Sequence, residues 1–255
     1  MIEYKNFIYL DVYKTGSSHV VDLLKKIVPE EPVRMKRHSS LTNLRPLTWT
    51  GGKLVFSTVR NPWDWYVSLW AYGCAKKGAV YQNIADTLSR AETAALYNPE
   101  DPKASFRLWT EAVCDPDFLN RTIQQDLPDS GMARIVGFYT YRFMRVTTPF
   151  PSFLLKKWNI GSVDAAIRYQ RKWAFYSVML RNETLNDDLI AFIRQHRERC
   201  GFVENAEQIV LEKAEKPKNR SKRAFDTYQD YYDPDLVDLV ARRERFFLEL
   251  FDYTF

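Results

Sequence analysis

The segment "YLDVYKTGSSHVVDLL", residues 9–24, passes from an apolar run through Lys14, Thr15, Gly16, Ser17 and Ser18 into an amphipathic stretch. Residues of these types at this spacing suit an oxyanion. A helix starting here offers unpaired backbone N–H groups and the positive end of its dipole. Gly16 lets backbone approach a ligand closely, Ser17 and Ser18 add hydroxyl donors, and Lys14 adds a mobile full charge. The same residues also suit an ordinary helix start, with Ser17 or Ser18 capping and Lys14 solvated. The turn differs from the nucleotide-triphosphate loop G-x-x-x-x-G-K-[ST], because its lysine comes first and a single glycine is present. In "STVRNPWDWYVSLW", residues 57–70, Arg60 stands at a strand end and Ser68 lies two turns into the next helix. A planar guanidinium and a hydroxyl could there converge on a second phosphate-like group. Two anion sites at the carboxyl ends of neighbouring strands fit a ligand with two separated phosphate-like groups.

Both segments need a strand, a turn and a helix to position them. "FIYLDV", residues 7–12, is rich in strand formers, and Val20, Val21, Leu23, Leu24, Ile27 and Val28 fall at helical spacing. The second unit has a strand at 54–59, then Asn61 as a cap, Pro62 at the first helical position and Asp64 three residues after the cap. Two such units separated by a crossover imply parallel strands, hence an α/β fold with a central parallel sheet flanked by helices. The middle, residues 78–172, is aromatic-rich and poorly patterned, and reads as mostly helical. "AFYSVML", 174–180, reads as a third strand, followed by a helix after Thr184. "LEKAEKPKNRSKR", 211–223, is basic and without apolar periodicity, so a loop is expected. The closing segment has Asp233 as cap, Pro234 as first helical residue, and Leu236, Leu239, Val240, Phe247 and Leu250 on one face. The whole of 1–255 is read as one domain.

Lys and Arg number 37 against 32 Asp and Glu, a net charge of +5 over 255 residues. That balance suits an anionic ligand and is too mild to argue for nucleic acid. Cys74, Cys114 and Cys200 lie far apart with no C-x-x-C pair, so they read as reduced thiols, and no metal-ligand cluster is expected. The start of the chain shows no signal peptide, and no stretch approaches the ~20 apolar residues of a membrane helix. The sequons at Asn120, Asn182 and Asn219 therefore read as chance matches.

"YKTGSSHV" and "VRNPWDWYVSLW" together resemble the 5′-phosphosulfate and 3′-phosphate motifs of sulfotransferases that use 3′-phosphoadenosine 5′-phosphosulfate (PAPS), particularly the carbohydrate sulfotransferases. The second motif, R-N-P-x-D-x-x-x-S after a strand, is the more specific. "RNETLNDDL" and "NRSKRAFDTYQDYYDPDLVDLVARRERFFLELFDY" are similar to the family's late strand-to-helix segment, basic loop and tyrosine-rich closing helix. The resemblance covers both ends of the chain and leaves the middle unmatched. It implies a P-loop-like strand-turn-helix in which Lys14, Thr15, Gly16, Ser17 and Ser18 hold the 5′-phosphate and the transferring sulfuryl group. Arg60 and Ser68 would hold the 3′-phosphate, and Asn219, Ser221 and Lys222 of the basic loop would fold over the nucleotide. Lys14 would also stabilise the leaving phosphate oxygen as the S–O bond breaks.

Sulfuryl transfer also needs a base for the acceptor's proton. His38, in "VRMKRHSSL", occupies the position after the first helix where many family members place a catalytic histidine. His19, Asp11 or an acid from the middle region are the alternatives, and His196 reads as a surface residue. Trp49, Trp63, Trp65, Trp70 and Trp109 read as core rather than as a sugar-stacking wall. The expected activity is O-sulfation of a glycan or glycolipid, with PAPS as donor and 3′,5′-adenosine bisphosphate (PAP) as product. The family's eukaryotic glycan enzymes are usually membrane-anchored in the Golgi, so a cytoplasmic, bacterial enzyme is expected here. A nucleotide or small-molecule kinase of P-loop-like fold is the alternative, disfavoured by the missing lysine-after-glycine loop. A nucleic-acid-binding module fits less well still.

Overall fold

The computed structural model describes residues 1–41, 50–123, 127, 131–149, 160–214 and 222–255. In chain order they form β1 (Ile2–Glu3), β2 (Phe7–Leu10), α1 (Ser17–Ile27), β3 (Arg34–Met35), β4 (Leu54–Val59), α2 (Pro62–Cys74), α3 (Ala79–Thr87) and α4 (Arg90–Leu96). Then follow α5 (Pro102–Cys114), α6 (Pro116–Thr122), α7 (Phe138–Thr147), α8 (Val163–Trp173), β5 (Val178–Arg181), α9 (Leu185–Cys200), α10 (Ala206–Ala214), α11 (Pro234–Arg243) and α12 (Arg245–Phe251). The chain divides into two compact units, one of Met1–Arg60, Phe143–Phe150 and Trp173–Arg220, the other of Asn61–Arg142, Pro151–Lys172 and Ser221–Phe255.

The first unit holds a five-stranded sheet in the order β3-β1-β2-β4-β5. β2, β4 and β5 are parallel, with Tyr9 opposite Phe56 and Phe56 opposite Val178. β1 runs antiparallel to both β2 and β3, so the sheet is mixed and not parallel throughout as the sequence suggested. The reason is local: a tight turn closed by the Tyr4 N–H on the Phe7 carbonyl (2.9 Å) reverses the chain between β1 and β2, a connection open only to antiparallel strands. The core is built where the expected apolar positions fall. Val20, Val21, Leu23, Leu24 and Ile27 of α1 and Leu189, Phe192 and Ile193 of α9 cover Phe7, Tyr9 and Phe56. Phe56 stacks with Tyr9 at 4.9 Å and meets Phe192 at 4.4 Å, ring contacts that fix strand register as well as burying area. α9 begins after Thr184 as expected and ends at Gly201, whose φ of 70° only glycine adopts cheaply. The third strand begins later than its apolar run, at Val178, although the Ser177 N–H already bonds the Val55 carbonyl. Leu211–Ala214, read as loop, are the last turn of α10, where Val210 is the buried anchor. Residues 215–221 of that basic run lie outside the described residues.

The second unit is largely helical. α2 starts as its sequence dictates, with the Asn61 side chain accepting from the N–H groups of Trp63 and Asp64 and Pro62 in the first turn. Trp63, Trp65, Trp70 and Trp109 are core residues, each at most 2% exposed. Trp49 lies outside the described residues. Trp65 stacks on Tyr139 at 4.4 Å, and Tyr139 on Phe247 at 4.0 Å. The closing segment, expected as one helix, is two, because Glu244 turns inward at the break between α11 and α12. The carboxylate is fully buried and accepts from Tyr66 Oη, the Tyr139 and Thr140 N–H groups and Thr140 Oγ1, at 2.6 to 3.0 Å. It thereby caps the first turn of α7 from another element, which burial of an unpaired carboxylate would not repay. A methyl group on Gly137 would stand 2.1 Å from Glu244 Oε1 and 2.9 Å from the Arg243 carbonyl oxygen. Gly137→Ala is therefore expected to destabilise the protein by about 1–3 kcal/mol through overpacking. Chemical denaturation checks this, and an unchanged midpoint would mean that the Glu244 cap does not approach Gly137 so closely.

Candidate anion-binding site

β2 ends at Leu10, and the chain turns through Asp11–Gly16 before α1 begins at Ser17. Gly16 is the N-cap residue with φ 81°, it makes no side-chain cap, and the first turn of α1 carries no acidic residue. The two serines therefore do not cap the helix. Lys14 is also left-handed, at φ 62°, a conformation that costs a non-glycine residue about 1–2 kcal/mol. Strain of this kind persists where surroundings over-determine it. Here the Thr15 hydroxyl, 0% exposed, donates to the Val12 carbonyl (2.9 Å) and meets Thr58 Oγ1 at 2.7 Å; Thr58 Oγ1 in turn lies 2.9 Å from Tyr9 Oη. Thr15 is thus committed to holding the turn. Ser18 is exposed, and Ser17, though buried, keeps its hydroxyl proton available because it accepts from Arg37 Nη2 (3.2 Å).

Arg60, one residue past β4, donates from Nη1 to the Lys14 carbonyl at 3.2 Å. The loop arginine and the turn lysine, placed by sequence on different motifs, thus meet at the carboxyl ends of the neighbouring parallel strands β2 and β4. Asn182, after β5, joins them: its N–H bonds the Val59 carbonyl at 2.8 Å, and its Oδ1 lies 2.7 Å from where a Gly16 Cβ would stand. Leu185 Cδ2 lies 2.6 Å from the same point. The absence of a side chain at residue 16 is therefore required twice, by its backbone and by its neighbours.

The residues sequence reasoning passed over as an ensemble are Asp11 and Arg37. Asp11 is fully buried, with Oδ2 2.5 Å from Arg37 Nε, Oδ1 accepting the His38 N–H at 2.9 Å, and the Met1 amino nitrogen 2.6 Å from Oδ1. His38 has φ 55°, and its Nδ1 lies 3.0 Å from the Asp11 carbonyl oxygen. A carbonyl only accepts, so Nδ1 carries the proton and Nε2 the lone pair. Burial holds the imidazole below its usual range, against the opposing pull of Asp11, and the neutral, proton-accepting form prevails at neutral pH. His19 is also lowered by burial, but its Nε2 is engaged 2.9 Å from Asn186 Oδ1. His196 is partly buried against Phe192 in α9. The basic cluster "RMKRH" was the visible sign that more than one side chain follows the first helix into this site.

Ser68 is in the second unit, buried in α2 at 4% exposure. Lys222, in the same unit, is exposed, and its neighbour Arg223 pairs with Asp64 in the first turn of α2 at 2.6 Å. Asn219 and Ser221 lie outside the described residues. Among the described residues no cluster of His, Cys, Asp and Glu is arranged as a metal site, and no helix is long and apolar enough to cross a membrane. No family model, curated protein or solved structure matches the chain.

Two outcomes test this geometry. Gly16→Ala should lower stability by about 1–3 kcal/mol, since both φ and the contacts with Asn182 and Leu185 oppose a methyl group; an unaltered denaturation midpoint would reject the left-handed cap. His38, His19 and His196 all titrate below their unfolded range, so between about pH 7 and 6 the unfolded chain binds more protons. Stability should therefore fall as pH drops through about 6.5, with a shallower fall in His38→Asn, whose side chain tolerates the left-handed backbone. Melting temperatures that rise on acidification across this window would contradict the shifts.

Proposed function

We propose that the protein is a sulfotransferase that moves a sulfuryl group from PAPS to a hydroxyl of a glycan or glycolipid. The observation that carries the reading is the Arg60 guanidinium on the carbonyl of Lys14. It joins at one place the two motifs whose separate anion-binding roles the resemblance implies. An uncapped helix N-terminus without first-turn acids, a glycine that leaves room beside Asn182, and a cationic Arg37 at Ser17 all suit phosphate and sulfuryl oxygens. In this reading the β2–α1 turn is a P-loop-like cradle, and Ser68, Asn219, Ser221 and Lys222 are further nucleotide contacts.

The donor supplies a sulfuryl group already activated by its bond to a phosphate oxygen. Lys14 and the N–H groups of Ser17 and Ser18 bind its oxygens, and Lys14 neutralises the charge that develops on the phosphate oxygen as that S–O bond breaks. His38 Nε2 takes the proton of the acceptor hydroxyl as the new O–S bond forms. The electron pair of the broken bond stays on PAP, and the acceptor gains the sulfuryl group. A cytoplasmic, bacterial setting belongs to the same reading.

PAP should raise the melting temperature more than ATP with magnesium; a ligand at a hundredfold excess over Kd contributes about 2.7 kcal/mol. Equal stabilisation, or preference for ATP, would favour a kinase. Lys14→Gly separates chemistry from folding, because glycine keeps the left-handed backbone while losing the cation. Its kcat should fall at least ~100-fold with the melting temperature undiminished. Retained turnover would remove Lys14 from the reaction.

A further inference from the structure

Asp11 holds a buried carboxylate at the end of the strand that leads into the turn, and it serves two neighbours in sequence by different atoms. Its Oδ2 pairs with Arg37 Nε at 2.5 Å, and the same guanidinium reaches Ser17 Oγ, the first residue of α1, at 3.2 Å. Its Oδ1 accepts the His38 N–H at 2.9 Å, which holds that residue at φ 55°, and its own carbonyl then receives Nδ1 at 3.0 Å. The edge of the Tyr13 ring meets the imidazole at 5.0 Å between centroids. The ring is thus fixed at one nitrogen, by a group that cannot donate, and along one side. We propose that Asp11 is a positioning residue of this site, which holds His38 as the Nδ1–H tautomer with Nε2 as the acceptor and aims Arg37 at the first turn of α1. The proposal rests on the sulfotransferase reading for its role in catalysis, though not for its geometry.

The carboxylate needs both oxygens as acceptors, because the His38 N–H and the Arg37 Nε–H are both donors. Asp11→Asn offers one acceptor and one donor, so whichever way the amide is turned, one neighbour faces a donor. Among the described residues the groups that face His38 are Asp11, Arg37, the Met1 amino group and the Tyr13 ring, and of these Asp11 is the anion that favours the imidazolium. Removing its charge while Arg37 remains should carry the His38 titration to still lower pH. A residue acting only through packing would leave that titration in place.

The experiment is nitrogen and proton NMR of histidine-labelled protein, first on the wild type and then on Asp11→Asn. Wild-type His38 should show a protonated Nδ1 and an unprotonated Nε2 near neutral pH, a result that needs no variant to fold. In Asp11→Asn the titration should move down by about half a pH unit or more. The acid limb of kcat/KM should move with it, and kcat should fall by about 10- to 100-fold. Asp11→Glu, which restores the charge, should return the titration toward the wild type. An Nε2–H tautomer in the wild type, or an unmoved titration in a folded Asp11→Asn, overturns the proposal even if PAP binds. Failure of PAP to bind, with the tautomer and titration as expected, leaves the positioning in place and overturns the sulfotransferase reading instead.

Discussion

One hydroxyl, that of Thr58, fastens the candidate site to the sheet. Thr15 has a single hydroxyl proton and gives it to the Val12 carbonyl, so toward Thr58 it can only accept. Thr58 must then donate to Thr15, and Tyr9 must donate to Thr58, which makes a one-way chain from Tyr9 through Thr58 and Thr15 to the backbone of the turn. All three side chains are fully buried, where hydrogen bonds are strong and an unmade one is costly. The turn is thus tied to two neighbouring parallel strands by polar groups with no alternative partners in water. Burial accordingly pushes the Tyr9 phenol far up, and it stays a donor at any ordinary pH.

On that base the site can hold two residues in an unfavourable backbone conformation. Lys14 and His38 each spend about 1–2 kcal/mol in the left-handed region, and each is held by a charged partner: Arg60 on the Lys14 carbonyl, Asp11 on the His38 N–H. Hydrogen bonds to charged groups contribute about 1.5–3 kcal/mol, enough to offset the strain. The first turn of α1 carries no acidic side chain, and Arg37, the cation that reaches it, is balanced by Asp11. The sulfotransferase reading proposed above would place an anionic ligand there.

Much of this was legible in the sequence for stated reasons. Helical spacing located α1, strand-like apolar runs located β2 and β4, and Asn61 with Pro62 marked the start of α2 to the residue. Lys14 and Arg60 were visible because each ends a strand-like run. β1 and β3 were not, since two residues carry no alternation to read. The break at Glu244 was hidden because the residues around it continue a helical pattern, and its cause is four donors brought from distant positions. Asp11 was read only as an alternative base at the end of a strand-like run, and Arg37 was given no role. Their pairing depends on the fold bringing residues 26 positions apart into contact, which no local pattern encodes.

The topology of the sheet has a kinetic side. β2 and β4 pair across a few tens of residues, whereas β4 ends at Val59 and its other partner, β5, begins only at Val178. Closing the longer loop costs only modestly more, about 0.6 kcal/mol for each doubling of length, yet that entropy is lost before the pairing returns anything. On a growing chain, the turn, α1 and β4 are all made long before β5 emerges. The Asn182 side of the turn is therefore the last part of the candidate site to be synthesised. Until then Phe56 lacks its Phe192 cover, and β4 presents an open edge of the kind through which chains pair wrongly.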